Sequence, residues 1–209
     1  MTDFAKKHAE AKIKLFQSLA KNLEQEAWSK ELIAHCELEC KMSPGYHHIL
    51  FLEGGAQMLD EFESWQDDIM LQELMSKERP QKIREQIALA LETRIINIIS
   101  KNALIHISSA LALPSKILVG SEASCRTCDA IWKYAGDKST DFNFYTKRGL
   151  LLPVYLSAKA FYISDESDDH KDTKEFIKNA LDNIINIASL KNRIHLPKLE
   201  DIPILRLFS

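Results

Sequence analysis

Apolar residues recur along the chain at helical rather than strand spacing. Ala11, Leu15, Phe16, Leu19 and Leu23 form one stripe and predict a first helix over 4–22. Ser29, with Trp28 before it and Ile33 four residues on, has the spacing of a capped and stapled helix start, closing near Cys40. Ser43-Pro44 reads as a cap followed by proline at the first helical position, opening a third short helix through Leu50. Beyond Gly54-Gly55, a longer helix carries Met58, Leu59, Phe62, Trp65, Ile69 and Leu74. Pro80 opens a helix to Lys101, an apolar helix runs from Asn102 to Leu113, and Pro114 breaks it. A further helix ends near Tyr134, where Gly136 suits the C-cap and 137–143 form a polar turn. Helices over 145–163 and 172–189 complete the set, split by the acidic loop 164–169. No alternating segment of useful length lies outside these helices, so the chain is predicted to be all-α.

The short helices come first and the long ones follow. That change divides the chain into a head over 1–55, a body over 56–190 and an apolar tail over 191–209. The head's second and third helices, 30–40 and 44–51, meet at a tight turn around Lys41-Met42, the geometry of a helix-turn-helix. A DNA-reading version needs cations facing phosphates. From Asn22 to Trp65 there are two lysines and no arginine against nine acids, so the head is expected to bind no nucleic acid. Over all 209 residues, 27 basic and 30 acidic side chains leave a net charge of -3, and 45% of residues are apolar. That is the mix of an ordinary globular protein without a dominant polyanion footprint. The longest charge-free stretch, Asn102 to Ser115, is too short to span a bilayer. The first 21 residues are lysine-rich, lack arginine and already carry helical periodicity, so neither a signal segment nor a transit peptide is expected. Four cysteines without a secretion signal read as reduced thiols in a cytoplasmic protein.

Candidate chemistry is sparse. Cys125 and Cys128 have redox or zinc spacing but no second pair. Cys36 and Cys40 lie one helical turn apart near His35, His47 and His48, a grouping more economically read as chance than as a metal site. There is no phosphate loop, dinucleotide fingerprint or nucleophile elbow. The expectation is a non-enzyme with no cofactor and no metal. What is unusual is apolar content: Leu91, Ile95, Ile98, Ile99, Ala103, Leu104, Ile107 and Leu111 fall on more than one helical face. Such positions either fill a core or line a cavity for an apolar ligand.

The run Asp129-Ala130-Ile131-Trp132-Lys133-Tyr134-Ala135-Gly136-Asp137-Lys138-Ser139-Thr140-Asp141-Phe142-Asn143-Phe144-Tyr145-Thr146-Lys147-Arg148 closely resembles the signature of the coenzyme Q biosynthesis protein nine family. The resemblance continues through Tyr155, Tyr162 and Asp165-Glu166-Ser167 into the helix from Asp172. Upstream, Ala27-Trp28, Met42-Ser43-Pro44-Gly45, Phe51 and Gly54-Gly55 resemble that family's degenerate helix-turn-helix head. It implies a TetR-repressor-like fold that has given up DNA and binds isoprenoid quinone intermediates or phospholipid. It also implies a homodimer, peripheral contact with the inner face of the membrane, and presentation of the lipid to a di-iron demethoxyubiquinone hydroxylase. The eight apolar positions above become the expected lipid-binding residues. The implied partner face uses Ile131, Tyr134, Asp141, Phe144 and Tyr145, with Phe144 where the family usually has Trp.

Trp132, Tyr134, Phe142, Phe144 and Tyr145 surround an acidic turn and act either as its core anchors or as an exposed patch. Lys147 and Arg148 either hold Asp137 and Asp141 or touch lipid headgroups. The tail carries Ile194, Leu196, Leu199, Ile202, Ile204, Leu205, Leu207 and Phe208, interrupted by Pro197 and Pro203. It covers the body or lies on a bilayer, with Lys198 and Arg206 near anionic headgroups. The reading is a lipid-binding accessory protein of ubiquinone biosynthesis; a TetR-type regulator with an apolar ligand is the alternative.

Overall fold

A computed structural model describes the backbone of residues 3–138 and 142–193, and the side chains of 3–138 and 144–184. The described residues form helices joined by short turns and contain no strand: α1 (Asp3–Asn22), α2 (Lys30–Glu39), α3 (His47–Leu50), α4 (Gly55–Ser76), α5 (Ile83–Glu92), α6 (Lys101–Leu111), α7 (Ile117–Tyr134), α8 (Phe142–Ser164) and α9 (Lys171–Arg193). The protein is all-α. The apolar tail is expected over 191–209; the backbone of 191–193 continues α9, and residues 194–209 lie outside the described residues.

Local chemistry explains several boundaries. The Ser29 hydroxyl accepts from Leu32 N–H at 3.1 Å and caps α2. After Tyr134, Asp137 N–H reaches Trp132 O at 2.9 Å and Gly136 N–H reaches Lys133 O at 3.0 Å. Gly136 sits at φ +85, so this is a glycine-terminated Schellman end to α7.

Two expectations change. The third helix does not begin at Pro44: Gly45 adopts φ +79, and Tyr46 N–H closes a turn onto Ser43 O. Only His47–Leu50 is helical, and the Glu37 carboxylate accepts from Gly45 N–H at 2.8 Å and His47 N–H at 2.7 Å in place of a serine cap. The helix expected from Pro80 to Lys101 starts at Ile83 and is interrupted by a π-helical turn at Thr93–Asn97. One extra residue per turn re-aims Arg94 toward the interior; Ser100 then caps a new helix by accepting from Ala103 N–H. The helix expected over 145–163 is present as α8, and it carries Pro153 inside it, which has no N–H to return to Gly149.

One apolar core runs from Leu15 in α1 to Leu181 in α9. Head and body join at an aromatic cluster in which Phe16 lies 5.7 Å from Phe51, 5.5 Å from Phe62 and 5.8 Å from Trp65. No helix among the described residues is long and apolar enough to cross a membrane.

Candidate functional site

Two cavities open beside α8. The first, of about 350 Å³, lies between α6, α7 and α8, walled by Leu111, Ala112, Ile117, Gly120, Leu152, Leu156, Ala160 and Ile163, with Ser108, Ser121, Ser124 and Lys159 as polar members. Gly120 permits the α6–α7 approach, since a Cβ there would meet Leu111 Cβ at 3.2 Å. The second, of about 330 Å³, lies among α5, α7, α8 and α9, walled by Ile83, Ile87, Trp132, Leu150, Leu151, Leu181 and Ile184, with Arg84 and Lys147 beside it.

Of the expected lipid-binding residues, only Leu111 reaches a wall of either cavity. Leu91, Ile95, Ile99, Ala103, Leu104 and Ile107 are buried core, and Ile98 is half-buried against it. Apolar periodicity marks residues that leave water; it does not separate those meeting a neighbour from those meeting a void. The walls contributed by Ile117, Leu152 and Leu156 were missed, and their signal is partial exposure on otherwise buried helices, which the linear sequence does not carry.

Behind the first cavity lies a buried ionic cluster. Arg94, 2% exposed, donates from Nε to Asp67 Oδ1 at 2.8 Å, from Nη1 to Gln66 Oε1 at 2.8 Å and from Nη2 to Glu63 Oε2 at 2.7 Å. Thr127 Oγ1 donates to Asp67 at 2.9 Å, and Arg126 pairs with Asp60 at 2.8 Å on the outer side. Burial pushes the Glu63 carboxyl up, but the charge and hydrogen bond of Arg94, with Lys159 behind, hold it below the usual carboxylate range. For Asp67 burial wins over the same arginine and over Thr127, and its carboxyl sits above the usual range. Gln66 Nε2, Thr93 Oγ1 and Tyr155 Oη lie in the same region, buried and without a protein partner. Each such group costs about 1–3 kcal/mol relative to a satisfied one. The sequence offered little signal for this cluster: Arg94 lies in a largely apolar run, but Glu92 two residues earlier makes it read as an ordinary charged turn of a helix.

The signature segment forms a self-braced corner between α7 and α8. Lys147 pairs with Asp137 at 2.6 Å, while Arg148 pairs with Asp129 at 2.7 Å and Asp137 at 2.9 Å. The Arg148 guanidinium also lies 3.5 Å from the centre of the Phe144 ring. Trp132 Nε1 donates to Lys147 O at 3.1 Å. These bonds assign Lys147 and Arg148 to holding Asp137. Around that corner, Tyr145 is 72% exposed, and Tyr134 and Phe144 are half-buried. Ile131 is 0% exposed: it is a core anchor under the corner rather than part of its outer surface, because the α7 face that carries it packs inward. Asp141 lies outside the described residues.

Among the thiols, Cys125 is exposed and Cys128 buried, and burial pushes the Cys128 thiol up to about 12. Among the described residues, no group of three His, Cys, Asp or Glu is arranged to hold a metal ion.

Residues 118–188, which hold α7, α8 and most of α9, match the COQ9 family model. The chain is 30% identical over 195 residues to a Dictyostelium discoideum protein named probable ubiquinone biosynthesis protein coq9, mitochondrial, covering 88% of this chain and 63% of that protein. It is 34% identical over 86 residues to human ubiquinone biosynthesis protein COQ9, mitochondrial, covering 41% of this chain and 27% of that protein. It is 29% identical over 170 residues to Xenopus laevis ubiquinone biosynthesis protein COQ9-A, mitochondrial, covering 74% and 51%. The matches thus span less than two thirds of the length of these relatives.

Proposed function

This chain belongs to the COQ9 family, and from that premise we propose that it is a non-enzymatic, lipid-binding accessory protein of ubiquinone biosynthesis. The relatives carry that pathway in their names. The observation that supports lipid binding is the apolar cavity between α6, α7 and α8, open at its rim and walled by aliphatic side chains. Each methylene moved from water into such a site contributes about 0.8 kcal/mol, so a few isoprenoid carbons suffice to hold a chain whose remainder stays in the membrane. At about 350 Å³ the cavity is at the small end of ligand pockets and takes part of a polyprenyl tail, not all of it.

Presentation to a partner is assigned to the braced corner. Tyr145, with the Phe144 ring 5.2 Å away, offers an aromatic patch on a frame stiffened by four charged side chains. The partner proposed there is the di-iron demethoxyubiquinone hydroxylase, which would receive the isoprenoid quinone intermediate. A homodimer through α8 and α9 is part of the same reading. The protein would act peripherally at a membrane; the relatives compared are named mitochondrial. The acid-rich head, with two lysines against nine acids, speaks against a DNA-binding regulator.

Native mass spectrometry of freshly purified protein, followed by solvent extraction, tests the proposal. Bound phospholipid or isoprenoid quinone near one per subunit is the expected result. Lipid-free protein that also fails to take up added isoprenoid quinone would overturn it.

A further inference from the structure

A further cavity, of about 380 Å³, lies in the head between α1 and the turn that joins α2 to α3. Helix positions three and four apart are neighbours, so Lys7, Glu10 and Lys14 stand as one stripe of α1 along its wall. Lys41, Ser43 and Tyr46 line it from the turn. Cys40 Sγ donates to Lys14 O at 3.4 Å and ties that turn to the helix. Lys41 ends α2 in a Schellman arrangement: its N–H reaches Leu38 O at 3.0 Å, and Met42 N–H reaches Glu37 O at 2.8 Å. The position takes φ 57, where glycine is the unstrained residue. Strain of this kind gathers at ligand sites, and here it is held by a cationic side chain on a cavity wall.

The ammonium groups of Lys14 and Lys41 and the hydroxyls of Ser43 and Tyr46 have no hydrogen-bond or ion-pair partner among the described residues; Lys7 is bridged to Asp3 at 2.7 Å. Three cations against Glu10 leave this wall positive, although the head over 22–65 is acid-rich. Ammonium groups and hydroxyls that all donate call for an anion with several oxygens. A phosphate monoester offers three acceptor oxygens and about two negative charges near neutral pH. A carboxylate offers two oxygens and a single charge, and a nucleic-acid strand would carry its further phosphates over the acids of the head. We propose that this cavity binds the phosphate of a phosphomonoester, whose organic part occupies the remaining space. The site is separate from the cavities beside α8 and does not rest on the lipid-binding reading.

Calorimetric titration of the full chain with glycerol 3-phosphate at pH 8 in low salt tests the site, with acetate as the control anion. Saturable binding near one per chain is expected, with acetate at least about tenfold weaker. Lys14→Gln and Lys41→Gln should each weaken glycerol 3-phosphate by about three- to tenfold, the worth of one charge-assisted contact at a partly solvated site. Lys30→Gln, at the start of α2 and outside the cavity, should leave it within about twofold. Lys41→Gly separates binding from folding: its urea midpoint should rise while its affinity falls. Flotation with phosphatidylcholine vesicles that contain phosphatidic acid then identifies the source of the phosphate. Capture that Lys41→Gln abolishes assigns it to a lipid headgroup; capture that Lys41→Gln leaves unchanged, or none, assigns it to a soluble ester. Acetate binding as tightly as glycerol 3-phosphate overturns the site, as do Lys14→Gln and Lys41→Gln acting no more strongly than Lys30→Gln. So does an absence of glycerol 3-phosphate binding together with vesicle capture indifferent to Lys41→Gln.

Discussion

Arg94→Met keeps an unbranched side chain of similar length and removes the charge that holds Glu63 and Asp67. Those two carboxylates are 4% and 6% exposed, so neither can turn to water when the guanidinium is gone. Asp67 retains Thr127 as a donor; Glu63 loses the only side-chain bond it makes among the described residues. Removing one partner of a buried pair costs about 3–5 kcal/mol. In a chain of 209 residues each kcal/mol moves the thermal midpoint by about 2–4 °C, giving an expected drop of about 6–20 °C at pH 7.

The pH dependence follows from the same charges. In the wild type, Glu63 is held below its unfolded range, so its contribution is present above about pH 4.3 and lost as pH falls through its lower folded value. In Arg94→Met, burial acts on both carboxyls with only Thr127 beside Asp67 and the more distant Lys159 and Arg126 charges near Glu63 left against it, and raises them above their unfolded values. The variant's stability is then present at low pH and lost as pH rises through those raised values. Urea midpoints measured from pH 8 to pH 5 should show the gap to wild type narrowing. A cost at pH 7 no larger than that of a surface ion pair, about 1 kcal/mol or less, would refute the reasoning. So would a gap that widens toward pH 5. Because Asp67 is pushed above the usual range and Glu63 below it, Asp67→Asn should cost less than Glu63→Gln at pH 7.

Lys41 holds φ 57, a conformation that strains any residue with a Cβ. Lys41→Gly should therefore raise stability by up to about 1 kcal/mol in urea titration, and a loss would show that the lysine stem contributes more than the strain removes. Iodoacetamide at pH 8 should alkylate exposed Cys125, while Cys128, buried and pushed up to about 12, stays unmodified until the chain is unfolded; peptide mass spectrometry reads both sites, and modification of Cys128 in the folded protein would contradict its burial. Tyr145→Asp, at a side chain 72% exposed, should leave stability within about 0.5 kcal/mol and weaken hydroxylase binding by more than about tenfold. Unchanged binding in a pull-down titration would move the partner face elsewhere.

The sequence by itself determined what short-range rules control. Ser29 caps α2 because its hydroxyl reaches Leu32 N–H three residues on, and Gly136 ends α7 because glycine accepts positive φ. Apolar residues repeating every three to four positions decided an all-α protein, and a nearly unbroken run over 129–148 carried the family. These interactions close within one or two turns, so their partners are adjacent in the text. Tertiary structure alone decided the rest. The Arg94 cluster draws on α4, a π-helical turn, α7 and α8, spanning residues 63 to 155, and no local spacing relates them. Ile131 and Tyr145 read alike as apolar members of one signature, yet one is a core anchor and the other is mostly solvent-facing, according to which side of each helix meets a neighbour. The cavity lies where α6, α7 and α8 fail to fill the space between them, and its walls are residues that periodicity assigned to no particular face. Hydrophobic pattern specifies which residues leave water; the packing of whole helices specifies what each of them meets when it does.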